Sequence, residues 1–218
     1  MKKSSFLLLL FTVCIVQGYS ETKKFTFSSD RTSITMAKGS EKTILTGHAE
    51  IVSDSLDIRA DRIELFGPDF RYAECSGSVT AVDEHLGIKL ETETLFYDRE
   101  KKRLVIKGYA VMIDQKNSIV VKGSYFESFS DEKITLIQIG VRILKASKDS
   151  TLTARSEFAR YDRSKNTLDL SGMPVVYKDN DVFRSTRIMV HLDTDEITLF
   201  GKVSGTVTST KDKGTEPP

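Results

Sequence analysis

The stretch LDIRADRIEL, residues 56 to 65, decides the fold of this chain. Apolar and polar residues alternate as far as Ile58 and again from Ile63 to Leu65, which is typical of a β-strand with one buried face. Between Ala60 and Ile63, two residues stand where the alternation allows one. Such a slip turns the following side chains to the opposite face, so the strand must bend or bulge here to keep them inside. The small residue Ala60 suits a tight corner.

The same pattern returns along the chain about every 31 residues. Its copies begin at Leu56, Ile88, Ile119, Leu152 and Phe183, in steps of 32, 31, 33 and 31. A repeat of this regularity must be recognised first, because it determines which fold is considered. The first four copies have a small residue at the corner position, namely Ala60, Thr92, Gly123 and Ser156. The fifth copy is the weakest, since it has Arg187 there.

The second half of each unit contains a glycine within a strand pattern. These glycines are Gly47, Gly77, Gly108, Gly140, Gly172 and Gly201, spaced by 30, 31, 32, 32 and 29 residues. Each unit is therefore predicted to be two strands joined by a polar turn, and no window shows helical periodicity. Most of these glycines share a face with apolar neighbours, which predicts a row of inward glycines that keeps the floor of a groove low.

A Tyr-Asp-Arg triplet marks two of the predicted turns, at residues 97–99 and 161–163. Aspartate is favoured in turns because its side chain bonds its own backbone. The aspartates at these turns are therefore interpreted as turn formers rather than catalytic acids.

Residues 1–20 have the three parts of a secretory signal: Lys2 and Lys3, a short apolar run, and small residues at Gly18 and Ser20. The apolar run is shorter than the ~20 residues that a membrane-spanning helix needs. We therefore expect cleavage after Ser20, with an uncleaved inner-membrane anchor as the alternative. A lipoprotein, modified at Cys14, is a further alternative.

Charge and cysteine content exclude several classes of function. Without Lys2 and Lys3 the 32 basic residues fall to 30, against 31 acidic ones, and no basic stripe favours nucleic acid as a partner. Cys75 is then the only cysteine, so no internal disulfide can form and Cys75 is expected to be a small buried apolar group. The three histidines occupy different repeat positions and show no metal-ligand spacing. The chain is therefore predicted not to be an enzyme and to need no cofactor or metal.

The repeated Leu-x-Gly-x-Ala/Val strand from Leu45, followed by the stretch at 56–65, resembles the OstA-like family. These are LptA-like and LptC-like periplasmic lipopolysaccharide-transport proteins, and the resemblance extends from about Thr43 to Val207. It implies an all-β fold, an open twisted β-jellyroll whose two sheets form a V, over residues 21–208. A disordered tail is expected at 209–218 because its composition is polar and rich in proline and charge.

The resemblance also implies a function: binding lipopolysaccharide or a related glycolipid in an apolar groove and carrying it towards the outer membrane. Partners would be the glycolipid, jellyroll proteins of the same transport system, and other copies of the chain joined head to tail through edge strands, in the periplasm. Carried onto matching positions, the groove lining would be Leu56, Ile58, Ile63, Leu65, Ile88, Leu90, Leu95, Ile106, Ile119, Val121 and Phe126.

Two alternatives remain open at this point. Each lining residue is equally well explained as plain sandwich core. The whole chain could also be a structural β-solenoid or scaffold of the cell envelope without a lipid ligand, because stacked rungs explain the period equally well. For assembly, the segments at 23–27, 33–36 and 197–207 are predicted to be the edge strands, the last of them a single strand.

Overall fold

The computed structural model describes residues 25–37, 39–53, 56–148 and 150–208. The predicted signal segment and the predicted disordered tail lie outside these residues. The described residues form β-strands and one short 3₁₀ turn at Pro68–Phe70, and none of them forms a helix long and apolar enough to cross a membrane.

Sixteen strands form one continuous sheet among the described residues. They are β1 (Thr26–Ser28), β2 (Arg31–Thr35), β3 (Lys42–Val52), β4 (Asp57–Phe66), β5 (Tyr72–Asp83), β6 (Ile88–Asp98), β7 (Arg103–Asp114), β8 (Ile119–Phe129), β9 (Ile134–Ala146), β10 (Thr151–Asp162), β11 (Thr167–Ser171), β12 (Val175–Lys178), β13 (Asp181–Arg184), β14 (Arg187–His191), β15 (Ile197–Phe200) and β16 (Ser204–Thr206).

The chain crosses this sheet in twelve antiparallel passes. Eight passes are the long strands β3 to β10, each paired with the next. The other four are broken in the middle into the pairs β1/β2, β11/β12, β13/β14 and β15/β16. Because neighbouring passes are antiparallel throughout, the fold is not a β-solenoid of stacked parallel rungs.

Every long pass bends at the same level, which we call the crease. The pairing register shifts there between Thr46 and Ala49 in β3, and at the matching place in every following pair of long strands. The small residues Ala60, Thr92, Gly123 and Ser156 lie at this line, as predicted from the double spacer. The broken passes are interrupted at the same level, including the weak fifth copy, which separates into β13 and β14.

The crease divides the sheet into two half-sheets of twelve strands each. Half A contains β2, β11, β14 and β15. It also contains the part of each long strand that lies on the same side of the crease as residues 42–46 of β3. Half B contains β1, β12, β13, β16 and the parts that begin with 49–52 of β3. The two halves pack their apolar faces against each other around one hydrophobic core, which confirms the open V-shaped β-jellyroll.

The repeated glycines do not form a groove floor, so that part of the prediction is wrong. They lie at the crease with positive φ, for example Gly47 at 73° and Gly77 at 77°, and they are half-buried or exposed. At Gly47-His48 two residues of β3 face the single residue Asp61 of β4, which is a β-bulge. Glycine recurs because its backbone adopts this left-handed conformation without a Cβ penalty.

Gly77→Ala should destabilise the fold by about 1–3 kcal/mol, because φ is positive and the new Cβ would collide with the Asp61 carboxylate. Gly140→Ala is the matched control, since Gly140 has a φ of 66° and open space around it, so it should cost only the backbone strain of about 1–2 kcal/mol and less than Gly77→Ala. Urea unfolding would measure both. Equal costs would show that the Asp61 contact contributes nothing.

Candidate functional site: the interior between the two half-sheets

The predicted lining residues all lie inside the V, on the facing surfaces of the two half-sheets. Each is at most 8% exposed, and all belong to the one core cluster. Half B contributes Leu56, Ile58, Ile88, Leu90, Ile119 and Val121. Half A contributes Ile63, Leu65, Leu95, Ile106 and Phe126. The repeat therefore identified residues that face each other across the interior.

A row of side chains in register crosses the inner face of half B from one edge to the other. Each member is the cross-strand partner of the next, so their side chains touch on one face. The row consists of Phe27, Ile51, Ile58, Ala81, Leu90, Met112, Val121, Ile143, Ala154, Val176, Phe183 and Gly205. No member is charged or polar in its side chain, so the row is an apolar strip roughly 50 Å long at the usual strand spacing.

The interior is filled by its own side chains in this structure. Where the hairpin turns of the two halves meet, opposite the crease, a cleft of about 20 Å³ remains, and we call this side the mouth. Three predicted lining residues, Leu56, Ile88 and Leu90, line this cleft together with Leu104 and Arg163. A lipid chain that enters from this side therefore requires the halves to separate at the mouth.

A buried carboxylate joins the two halves at the mouth. Asp114 of half B is fully buried, and the Tyr161 hydroxyl of half A donates to its Oδ2 at 2.7 Å. The Asn117 side chain donates to the same oxygen at 3.0 Å and lies 2.8 Å from the Tyr161 hydroxyl. Burial, and then the hydrogen bond to Asp114, raise the pKa of Tyr161, so the hydroxyl keeps its proton. We call these three residues the Asp114 latch.

Arg163 adds a positive charge beside this latch. It lines the mouth cleft, and burial lowers the pKa of its guanidinium although Tyr161, Asp114 and Asp83 act in the opposite direction. Its Nε is buried and makes no hydrogen bond to any described residue. An unsatisfied buried donor costs free energy, so a group that accepts from Nε would be bound favourably.

A second contact closes the mouth further along the sheet. Lys145 of half B donates to the Asp195 carboxylate of half A at 2.6 Å and to the Leu192 carbonyl at 2.5 Å. Lys178, also of half B, lies 3.7 Å from the same carboxylate. The Lys145 ammonium, through its hydrogen bond, holds the pKa of Asp195 below its usual value. Both contacts are polar and non-covalent, so they can break without disturbing the strands.

The sequence pattern predicts only a turn at two residues of this region, Tyr161 and Arg163. In the triplet 161–163, Tyr161 points into the mouth, Asp162 accepts from the Lys165 backbone at 3.2 Å, and Arg163 reaches the cleft. In the triplet 97–99, Asp98 caps its turn in the same way through the Lys101 backbone. The turn prediction is therefore confirmed for both aspartates. Asp114 stands five residues before Ile119, as Asp83 does before Ile88, so its repeat position indicates a turn but not the contact with Tyr161. Asn117 and Lys145 carry no repeat signal.

Cys75 and the histidines take no part in a chemical site. Cys75 is fully buried on the inner face of half A, and burial raises the pKa of its thiol to about 12, as expected for a small apolar core residue. His48 is exposed and lies 2.8 Å from Asp30, far along the chain from His85 and His191. Among the described residues, no three His, Cys, Asp or Glu side chains are grouped to bind a metal ion.

Comparison with solved structures finds several similar chains. The crystal structure of LptH, the LptA-homologous periplasmic component of the lipopolysaccharide transport device of Pseudomonas aeruginosa, aligns with 86% of this chain and 96% of that chain. The sequence identity is 8% and the TM-score is 0.28. LptH is an LptA homologue, and LptA-like proteins are the group that the repeated stretches resemble. No protein-family profile and no curated protein sequence matches the chain.

Tyr161→Phe should make the two halves separate more easily at the mouth. It removes a hydrogen bond to a buried carboxylate, and such a bond contributes about 1.5–3 kcal/mol to stability. We expect lower stability in urea and faster reaction of Cys75 with a thiol reagent under native conditions. Tyr97→Phe is the matched control, since Tyr97 lies on the same inner face and its hydroxyl bonds no described residue. Unchanged Cys75 labelling in Tyr161→Phe would show that the latch does not keep the interior closed.

Proposed function

We propose that this chain is a non-enzymatic lipid-binding transport protein of the periplasm, which carries lipopolysaccharide or a related glycolipid towards the outer membrane. The observation that carries this proposal is the apolar interior that crosses all twelve passes and is closed at the mouth by side-chain contacts, among them the Asp114 latch and Lys145 with Asp195. Stability alone does not explain the charged groups buried at the mouth, because replacing such groups by apolar residues is often neutral or stabilising.

Opening at the mouth would expose two apolar faces that acyl chains can cover. Each methylene that leaves water contributes about 0.8 kcal/mol, so several chains offset the loss of the side-chain contacts between the halves. The bulges at the crease are built from backbone conformation, so this side stays joined while the mouth opens. The eleven predicted lining residues would then contact the acyl chains, with Leu56, Ile88 and Leu90 nearest the entrance.

Arg163 gives the mouth a group for the polar end of the lipid. Its free Nε and its guanidinium charge suit a phosphate, which accepts paired hydrogen bonds from this side chain. The sugars and phosphates would stay at the mouth while the chains lie inside. This orientation follows from the position of Arg163 among hairpin turns rather than at the crease.

Leu90→Asp should abolish lipid capture, because it places a charge in the middle of the apolar strip, where Leu90 is 5% exposed. Binding of a fluorescent lipid A analogue would measure it, with circular dichroism to check folding. Lys89→Asp is the matched control, since Lys89 is on the opposite face of the same strand.

Val121→Thr keeps the shape of a residue in the same strip and provides a second variant should Leu90→Asp not fold. It should reduce affinity several-fold while remaining folded, because one hydroxyl enters the apolar strip. A folded Leu90→Asp or Val121→Thr protein that binds as the wild type does would contradict the groove. Purified wild-type protein that neither carries nor binds lipid would favour the scaffold alternative.

Head-to-tail assembly is the second part of the proposal, and the two ends of the sheet support it. Among the residues that the structure describes, β1 and β2 pair only with β3, and at the other end β15 and β16 pair only with β14 and β13. The predicted continuous last strand is wrong: Val203 lies in the break between β15 and β16. Both ends also expose large apolar side chains, including Ile34 at 54% and Phe200 at 41%.

The even number of passes is compatible with head-to-tail pairing of the two sheet edges. Because twelve passes alternate in direction, the last pass runs opposite to the first. β15 of one copy can therefore pair antiparallel with β2 of the next in half A, while β16 pairs with β1 in half B. Two different edges make a heterologous contact that propagates, and the apolar interior would continue from one copy into the next.

Ile34→Lys should limit assembly, because a lysine on an edge strand disfavours pairing with another chain. Light scattering across a concentration series should show growing chains for the wild type and smaller species for the variant. Tyr109→Lys is the control, since Tyr109 is 61% exposed but belongs to a central strand. A wild-type protein that stays monomeric at all concentrations would overturn the assembly proposal without affecting lipid binding.

A further inference from the structure

Three cations lie side by side on the outer face of half B. Lys122 of β8 is directly opposite Arg142 of β9, and Arg142 is directly opposite Arg155 of β10. Arg184 continues the row two strands further on, opposite Val175 of β12. All four are exposed, and none forms an ion pair or a side-chain hydrogen bond with any described residue. We call Lys122, Arg142, Arg155 and Arg184 the cation row.

The outer faces elsewhere are arranged differently. Most arginines there are matched with carboxylates across or along the strands, as in Arg59 with Glu50 at 2.7 Å. Arg103 pairs with Glu127 and Arg187 with Asp169 in the same manner. Like charges directly opposite each other in a sheet are destabilising. The cation row is therefore a local departure from the pattern that the rest of the sheet follows.

An apolar cleft of about 440 Å³ runs along one side of the cation row. It is lined by Val120, Leu144, Thr153 and Tyr177, which are in register with one another on four adjacent strands. Leu144 is 41% exposed. The cations and the apolar residues thus form two parallel rows across the strands. Along each strand the two rows are two residues apart, as Val120 and Lys122 are in β8.

A second cleft of the same volume lies on the other side, towards the crease, and its walls are polar and apolar in about equal parts. Arg142, Arg155 and Arg184 line it together with Glu157 and Ser156. The Glu157 carboxylate is turned to the crease, where it accepts from the Gly140 backbone N–H at 3.4 Å. It therefore leaves the guanidinium groups without a partner.

We propose that this outer face is a second lipid site, which binds an anionic phospholipid with its phosphate on the cation row. The guanidinium groups of Arg142 and Arg155 match phosphate oxygens, and an anion between them removes the repulsion that the empty row carries. The acyl part lies in the apolar cleft, and the remaining polar headgroup faces the polar cleft. This site is separate from the interior, since its residues point away from the core, and it does not depend on the function proposed above.

The test uses dihexanoylphosphatidylglycerol below its micelle concentration, with titration calorimetry on the full chain. The Arg142→Gln/Arg155→Gln variant should bind it at least about tenfold more weakly, because it removes charge-assisted hydrogen bonds to the phosphate. Leu144→Asn should weaken binding of this lipid but not of inorganic phosphate. Arg59→Gln, which removes a paired outer-face arginine, should bind as the wild type does.

Two further measurements separate the alternatives. Dihexanoylphosphatidylcholine, which has no net charge, should bind more weakly than the phosphatidylglycerol. Arg142→Gln alone should raise Tm at low salt, since it relieves like-charge repulsion, whereas Arg59→Gln should not.

Equal affinity for inorganic phosphate and for the lipid would show an anion site without a lipid role and overturn the proposal. Binding that survives Arg142→Gln/Arg155→Gln but is lost in Leu90→Asp would place the lipid in the interior, and this too would overturn it. Loss of interior binding with this outer site intact would instead contradict only the function proposed above.

Discussion

The crease is the constraint on which the rest of the structure depends. Each long pass keeps apolar residues inside on both of its halves, which a straight strand with a period of two cannot do after a one-residue slip. The bulges resolve this conflict by placing residues such as Gly77 at positive φ opposite a single residue of the next strand. Because all passes bulge at one level, one sheet folds into two facing halves.

The two long sides of the interior are closed by different kinds of connection, the backbone at the crease and side-chain contacts at the mouth. At the crease the halves are connected by the chain itself, and opening there would require the bulges to be rebuilt in every pass. At the mouth they are joined by the Asp114 latch and by Lys145 with Asp195, which are side-chain contacts. A protein that admits a lipid between its sheets needs this asymmetry, because one side must act as the joint while the other opens.

Most charged side chains on the outer surface form local ion pairs, whereas the cation row does not. Most outer-face arginines have a carboxylate within hydrogen-bond distance, so they contribute little to binding anions. The cation row has none among the described residues, and it lies beside an apolar cleft. The interior and this outer face are thus two surfaces of half B with opposite character, and the alternation of each strand produces both at once.

The sequence by itself determined the strands, their repeat, the level of the crease and the eleven inward residues, because these depend on periodicity within a few residues. It also indicated strands around Phe27 and Ile34, which became β1 and β2. Its prediction for the glycines was wrong. A glycine that faces inward and a glycine in a β-bulge have the same sequence pattern, and only the backbone angles distinguish them. Only the tertiary structure brought Asp114 to Tyr161, 47 positions apart, and aligned the cation row across strands. Such contacts depend on which strands meet and in which register, and no local pattern in the sequence encodes that.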